Sequence, residues 1–319
     1  MNQEPLILSP AFQERIWGGH KLKDLFGYDI PSDQTGEAWI ISAHRNGPSQ
    51  VENGALAGKT LNVVWQEHPE LFGKEKANEA FPLLVKLLDA NADLSVQVHP
   101  NDTYARRVEG EPYGKTECWY VVDCEDNAEI VFGHHAKSES EFREMVEAGE
   151  WDDLLRRVKV NKGDFIYVPS GTIHAIGKGI VILETQQSSD ITYRVYDYGR
   201  TDADGNEREL HIDASIAVTH YPHHAEQQEH ETVTVEGLTK TKLVQADYFT
   251  VYHLEVDGAA TAPVKADYIL MSVLDGTGTL VVNGQDYTLE KGTNLILPAT
   301  VASYELKGRM EMIVSHETQ

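Results

Sequence analysis

"GDFIYVPSGTIHAIG", Gly163–Gly177, runs an apolar strand into a Pro-Ser-Gly turn and returns as a second strand headed by His174. A second stretch, "GTNLILPATVASYEL" at Gly292–Leu306, repeats the design. Gly163 aligns with Gly292 and Pro169 with Pro298, and the apolar residues between them match in kind; at the place of His174 stands Ser303. A repeat with one chemical difference predicts one scaffold used twice, with a site kept in only one copy.

Working outward, short apolar strands alternate with turns: "LSVQVHP", "ECWYVVDC", "AEIVFG", "GIVILETQ", "TYRVYDYG", and "YILMSVLDGTGTLVVNGQDYTLEKG" with Asn283-Gly284 as a hairpin turn. This spacing predicts a mainly β protein built from two double-sheet barrels of the jelly-roll, or cupin, type. Helical interruptions are expected in the N-terminal half. The apolar spacing from "GKTLNVVWQEHPELFG" through "FPLLVKLLDA" reads as helical, and "SESEFREMVEAGEWDDLLRRV" has a Ser cap, an acidic start and a basic end. The polar, non-periodic "HYPHHAEQQEHETVTVEG" separates residues 1–230, which hold the candidate site, from a C-terminal cupin, 231–319, without metal ligands. Its histidines at 220, 223, 224 and 230 read as part of a solvated connector rather than a metal tract.

At 319 residues and 41% hydrophobic composition the chain has the profile of a soluble globular protein with a well-buried core. No apolar run approaches the roughly 18 residues that span a bilayer, and "MNQEPLILSPAFQERIWGG" is not a secretory leader, so a cytoplasmic location is expected. Cys118 and Cys124 read as reduced thiols. With 27 basic against 51 acidic residues, a net charge of −24 would repel nucleic acid and anionic membranes. An anionic substrate therefore requires a local cationic pocket. Oligomeric state is not legible.

Chemistry collects around His174. Gln97 and His99 in "SVQVHPND" are two apart, so they leave one face of a strand, and Glu117 opens "ECWYVV". If these strands curl into a small barrel, Gln97, His99, Glu117 and His174 converge. Two imidazoles, a carboxylate and an amide oxygen suit one Zn²⁺ per chain with a position left for water or substrate. A lone histidine near a turn is ordinarily a hydrogen-bonded structural residue; the combination carries the reading. Two histidines and a glutamate also suit the Fe(II) facial triad of a cupin dioxygenase. A non-catalytic sugar-binding bicupin is the other alternative.

The pattern Gly163-x5-Pro169-x-Gly171-x2-His174 resembles the second cupin motif. Together with "RIWGG", "GEAWI", "LVKLLDA", "LSVQVHPND", "GKTECWYV", "PSGTIHAI" and "ETQQSSDITYRVYD", it makes nearly the whole chain similar to the type I mannose-6-phosphate isomerases in their short bacterial form. The resemblance implies metal ligands at Gln97, His99, Glu117 and His174, and active-site positions at Trp17, Glu37, Lys86, Lys115, Glu184 and Arg194. It also implies a sugar-phosphate substrate and a proton moved between C2 and C1 of the hexose through an enediol.

Each further residue also has an ordinary reading. Lys115 precedes Glu117 by two and shares its face, though strand lysines are usually solvated. Lys86 among leucines is either a snorkelling residue or an inward cation. Glu184 ends an apolar run, where turn carboxylates are common, and Arg194 between tyrosines is by default an exposed barrel arginine. With the motif, the acid/base step falls to Lys115 or Glu184 and electrostatic stabilisation to Arg194. Trp17, Glu37, Lys86 and Arg200 are assigned to substrate, Arg200 as a candidate phosphate contact six residues after Arg194.

Overall fold

The computed structural model describes residues 3–75, 79–201, 204–226 and 228–318. Its strands form three sheets of nine, six and five strands, none closing on itself by strand pairing, stacked so that the six-stranded sheet lies in the middle. Short helices decorate the N-terminal half. The mainly β, jelly-roll expectation holds.

The six-stranded sheet shows why one sequence reading fails. Leu83–Ala90, read above as continuing a helix, is a strand buried at every position, hydrogen-bonded on one side to Ile180–Gln187 and on the other to Thr35–Ser42. A strand covered on both faces loses the apolar–polar alternation that identifies strands, and its continuous apolar run reads equally as a buried helix. Only the upstream part is helical, at Leu61–Glu67 and Pro69–Phe72. The other expected helix forms at Glu139–Ala148, with the Ser138 hydroxyl accepting from the Glu141 amide and Gly149 left-handed at its end. A second short turn follows at Trp151–Leu154, after which the chain becomes the strand Leu155–Lys159.

Both copies of the opening motif fold alike. Phe165–Val168 turns into His174–Ile176, and Asn294–Leu297 turns into Ser303–Glu317, so His174 and Ser303 each begin the returning strand. Gly163 and Gly292 have φ of 90° and 91°, which side-chain-bearing residues rarely adopt. This backbone demand accounts for glycine in both copies. The Asn283-Gly284 hairpin turn is likewise left-handed at both residues, joining Ile269–Val282 to Gln285–Glu290.

Packing separates the layers by chemistry. One apolar cluster glues the six-stranded sheet to the nine-stranded one, with Leu83, Val85, Leu87, Cys118 and Val181 on one side and Phe249, Val251, Tyr268 and Ile313 on the other. Cys118 thus points away from Glu117, as strand alternation requires, and both cysteines are free. The strand Leu6–Ser9 pairs with Asn294–Leu297, so the start of the chain belongs to the C-terminal sheet. The helices Glu139–Ala148 and Ile212–Val218 cover the outer face of the five-stranded sheet through Phe142 and Ile216. Within the polar connector, His220 lies against Gly171 and the half-buried His223 against Gly133, while His220, His224 and His230 are exposed.

Candidate active site

Two rows of side chains, one from each facing sheet, define a cleft. In the six-stranded sheet Trp39, Lys86, Glu184 and Trp119 are register partners on four successive strands. In the five-stranded sheet Arg194, Gln97 and His174 are partners on three. Register partners share a face, so each row projects together. Glu37 and Glu117, two residues before Trp39 and Trp119, extend the first row, and His99 extends the second.

Where the rows meet, one ligand atom each from His99, Glu117 and His174 lies within 4.8 Å of the others, and all three residues are fully buried. His99 Nε2 is 3.5 Å from Glu117 Oε2, and His174 Nε2 is 3.4 Å from Glu117 Oε1. Each imidazole has its other nitrogen committed: Nδ1 of His99 donates to the Ile191 carbonyl at 2.7 Å, and that of His174 to the Thr172 carbonyl at 2.8 Å. Those bonds fix the tautomer that turns a lone pair on Nε2 inward. Both Nε2 atoms are buried without a hydrogen-bond partner. Orphaned buried nitrogens aimed at a carboxylate are costly unless a cation satisfies them, so the donor set fits a bound divalent metal.

A ladder of alternating charge continues from this centre. Lys115 Nζ is 2.9 Å from Glu117 and 3.9 Å from Glu184; Lys86 Nζ is 3.4 Å from Glu184 and 3.8 Å from Glu37; Arg15 Nε is 3.0 Å from Glu37. The Trp119 indole donates to both Glu117 and Glu184, at 3.0 and 3.1 Å, and the Trp39 indole to Glu37 at 2.6 Å. Burial alone would raise the Glu37 carboxyl, but Lys86 and Arg15, with the two N–H donors, bring it down to about 2. Glu184 moves the other way: burial and then the charge of Glu117 raise it, against the pull of Lys115 and Lys86. Burial lowers His99 and His174, keeping them neutral. Burial would also lower Lys115, but the charges of Glu117 and Glu184 outweigh it and raise the ammonium.

The cleft measures about 260 Å³. It is lined by Trp17, Glu37, Lys86, Gln97, Lys115, Glu184 and Arg194 among the residues singled out from sequence, with Leu88 and Ile176 as apolar wall. Arg200 is not in this lining. Its guanidinium is held by Asp197 and the Asp93 carbonyl, with the Tyr198 ring 5.2 Å away. Arg15, Asp190 and Arg208 line the cleft and were missed. Arg15 was legible in principle, standing two residues before Trp17 on the strand Ala11–Gly19. Arg208 comes from a polar loop without periodicity, and nothing local marks it. A separate opening of about 400 Å³, beside His44, Trp65 and Phe81, holds no comparable donor cluster, and its Arg45 is paired with Glu111.

The model of the type I phosphomannose isomerase catalytic domain matches residues 6–145, and that of the mannose-6-phosphate isomerase cupin domain matches residues 239–317. The mannose-6-phosphate isomerase ManA of Bacillus subtilis is 50% identical over 99% of this chain and 100% of its own length. The mannose-6-phosphate isomerase of Streptococcus mutans is 51% identical over 99% of each. The crystal structure of the mannose 6-phosphate isomerase from Bacillus subtilis superposes with a TM-score of 0.96 at 48% identity, covering 98% of this chain and 100% of that one. Agreement of this kind along the whole length, in sequence and in fold, places the chain in the type I phosphomannose isomerase family.

Proposed function

We infer that this protein is a mannose-6-phosphate isomerase that interconverts mannose 6-phosphate and fructose 6-phosphate through an enediol, using one Zn²⁺ held by Gln97, His99, Glu117 and His174. The observation that carries the reading is the pair of buried, unpartnered Nε2 atoms converging on Glu117 at the edge of a cleft rich in lysine and arginine. His/Glu ligation with an amide oxygen from Gln97, which projects from the strand Val96–Val98 that His99 immediately follows, suits zinc. When bound there, Zn²⁺ supplies Lewis acidity toward the sugar oxygens. A cupin dioxygenase has no use for Lys86, Lys115, Arg15, Arg194 and Arg208 around one small cleft; an anionic substrate does.

The residues divide the remaining work. Moving hydrogen between C2 and C1 requires a group that takes a proton from one carbon and returns it to the other. Lys115 Nζ and Glu184 Oε1, 3.9 Å apart and both buried on the cleft, are the pair placed for it. Glu184, whose carboxyl burial and the charge of Glu117 raise, is the member better suited to take up and return a proton, while Lys115 stays cationic beside the oxyanion. Lys86 holds Glu184 in place from the next strand, and Glu37 in turn holds Lys86. Arg194 faces developing negative charge on the substrate with a guanidinium that keeps its proton. Trp17 supplies a wall that excludes water.

The test is a coupled assay of metal-loaded protein on mannose 6-phosphate, paired with metal analysis. Turnover that disappears on chelation and returns with Zn²⁺ is the expected result. Absence of turnover by protein carrying one zinc per chain would overturn the assignment.

A further inference from the structure

Beyond Arg194, which the reaction chemistry uses, the cleft ends in a further guanidinium, Arg208, that this chemistry leaves unexplained. We propose that Arg208, held by Asp197 beside Arg194, forms the seat for the substrate's phosphate and so sets the preference for phosphorylated over free sugar. The proposal rests on the isomerase reading above and deepens it.

The buried carboxylate of Asp197 receives two hydrogen bonds from Arg208, from Nε at 2.8 Å and from Nη2 at 2.7 Å. This fork-to-fork grip fixes the plane of the guanidinium and leaves Nη1, among the described residues, without a hydrogen bond. Arg194 is similarly underused. Its Nη1 donates to the Glu209 carbonyl at 2.7 Å, and its Nε is buried with no partner. Both side chains line the cleft.

Charge counting favours a dianion. The charged groups acting on Arg194 are Arg208, Asp197, Arg200 and Glu209. Glu209 is largely exposed, so its charge is screened by water. Three guanidiniums therefore face one buried carboxylate. Burial and then the charge of Arg208 push the Arg194 guanidinium down, the mark of cations crowded together without enough anion. Asp190, also on the lining, keeps its charge while accepting from Asn46 at 2.6 Å, but its side chain is 37% exposed and water screens it, unlike the buried Asp197. A protein of net charge −24 that concentrates cations in one cleft gains nothing in solubility from doing so. A phosphate dianion satisfies the excess.

Position agrees with charge. His174, Gln97 and Arg194 are register partners on adjacent strands, so Arg194 sits two strand spacings, roughly 10 Å, from His174. A hexose 6-phosphate carries its reacting carbons at one end and its phosphate at the other. With C1 and C2 at the His99–Glu117–His174 end and Arg194 reaching back toward them, the phosphate extends toward Arg208.

The experiment compares wild type with Arg208→Ala and Arg208→Lys, all metal-loaded. Readouts are KM and kcat for mannose 6-phosphate, inhibition by inorganic phosphate, and calorimetric binding of inorganic phosphate. Losing charge-assisted hydrogen bonds from one guanidinium should raise KM and weaken phosphate binding roughly 10- to 100-fold, with a much smaller change in kcat. Lysine should recover part of the binding, since it restores charge without the fork. If both variants bind phosphate within twofold of wild type, or if kcat falls while KM and phosphate affinity hold, the proposal is overturned. Arg208→Lys preserves the pairing with Asp197 and decides the matter should the alanine variant misfold. Phosphate binding is read without turnover, so a wild type that binds phosphate through Arg208 but fails to isomerise mannose 6-phosphate would sink the isomerase reading and leave the anion seat standing.

Discussion

Arg194 tests how charge on a single residue is used. Its backbone is fixed by the sheet opposite Gln97, so truncation should not disturb the metal ligands. Arg194→Ala is expected to fold, retain its metal and lose on the order of 10² to 10³ in kcat, the usual cost of one preorganised donor to a developing oxyanion. Steady-state kinetics with metal analysis checks this; a normal kcat with only a raised KM would reduce Arg194 to an anchor. Glu37 makes a different, acid-side prediction. Its folded carboxyl sits at about 2, below the ordinary 4.5, so its ionised form stabilises the fold above pH 4.5 and this contribution is lost as pH falls toward 2. The difference is on the order of 3 kcal/mol at neutral pH. Glu37→Gln, which leaves Lys86 and Arg15 facing an amide, should lower the urea midpoint at pH 7. The gap from wild type should narrow progressively as pH falls from 4.5 toward 2. A gap that stays constant with pH would mean Glu37 is not the titrating group.

At the scale of the element, one strand–turn–strand unit occurs twice with opposite outcomes. His174 is buried and joins His99 and Glu117, whereas Ser303 is exposed and pairs with Pro263 at the end of its strand. His174→Ser should therefore abolish tight metal binding while leaving the circular dichroism spectrum intact. Ser303→His should leave the stoichiometry at one metal per chain, because among the described residues no cluster of potential ligands converges there. Metal analysis of the two variants measures both; a second metal in the Ser303→His protein would refute the exposed-strand argument. The same unit shows what could be read from sequence. Glycine at 163 and 292, proline at the turn and the spacing of Gln97 and His99 are local demands, and local demands leave marks. The strand Leu83–Ala90 left none, since burial on both faces erased its alternation. Arg208 was invisible for a related reason: a loop places it, and its partner Asp197, eleven residues away, does the holding. Arg200 looked the better candidate because it follows Arg194 in an obvious strand-and-turn segment, yet the same Asp197 draws it off the cleft.

At the scale of the whole molecule, the question is whether the metal-bearing half stands without the C-terminal half. Composition suggests that it could, since each half has its own strands and turns, but the layers are not arranged that way. The back of the six-stranded sheet is covered by Phe249, Val251, Tyr268, Leu270 and Ile313, all from the C-terminal sequence. The strand Leu6–Ser9 crosses in the other direction to pair with Asn294–Leu297. Polar bonds join the layers too: the Tyr120 hydroxyl donates to Glu311 at 2.7 Å, and His253 meets the same carboxylate at 2.8 Å. Removing residues 231–319 would bare an apolar face on the sheet that carries Lys86, Glu117 and Glu184, and would strip Leu6–Ser9 of its Asn294–Leu297 partner, leaving it only the short pairing with Gln50–Val51. Exposed faces of this kind aggregate rather than persist. Residues 1–230 expressed alone are therefore expected to be insoluble or to lack bound metal. The full chain should unfold in calorimetry as a single transition with calorimetric and van't Hoff enthalpies in agreement. Two resolved transitions, or a soluble fragment that binds metal with wild-type affinity, would show that the shared core is dispensable. On the geometry, the C-terminal sheet closes the back of the sheet whose front carries the candidate site.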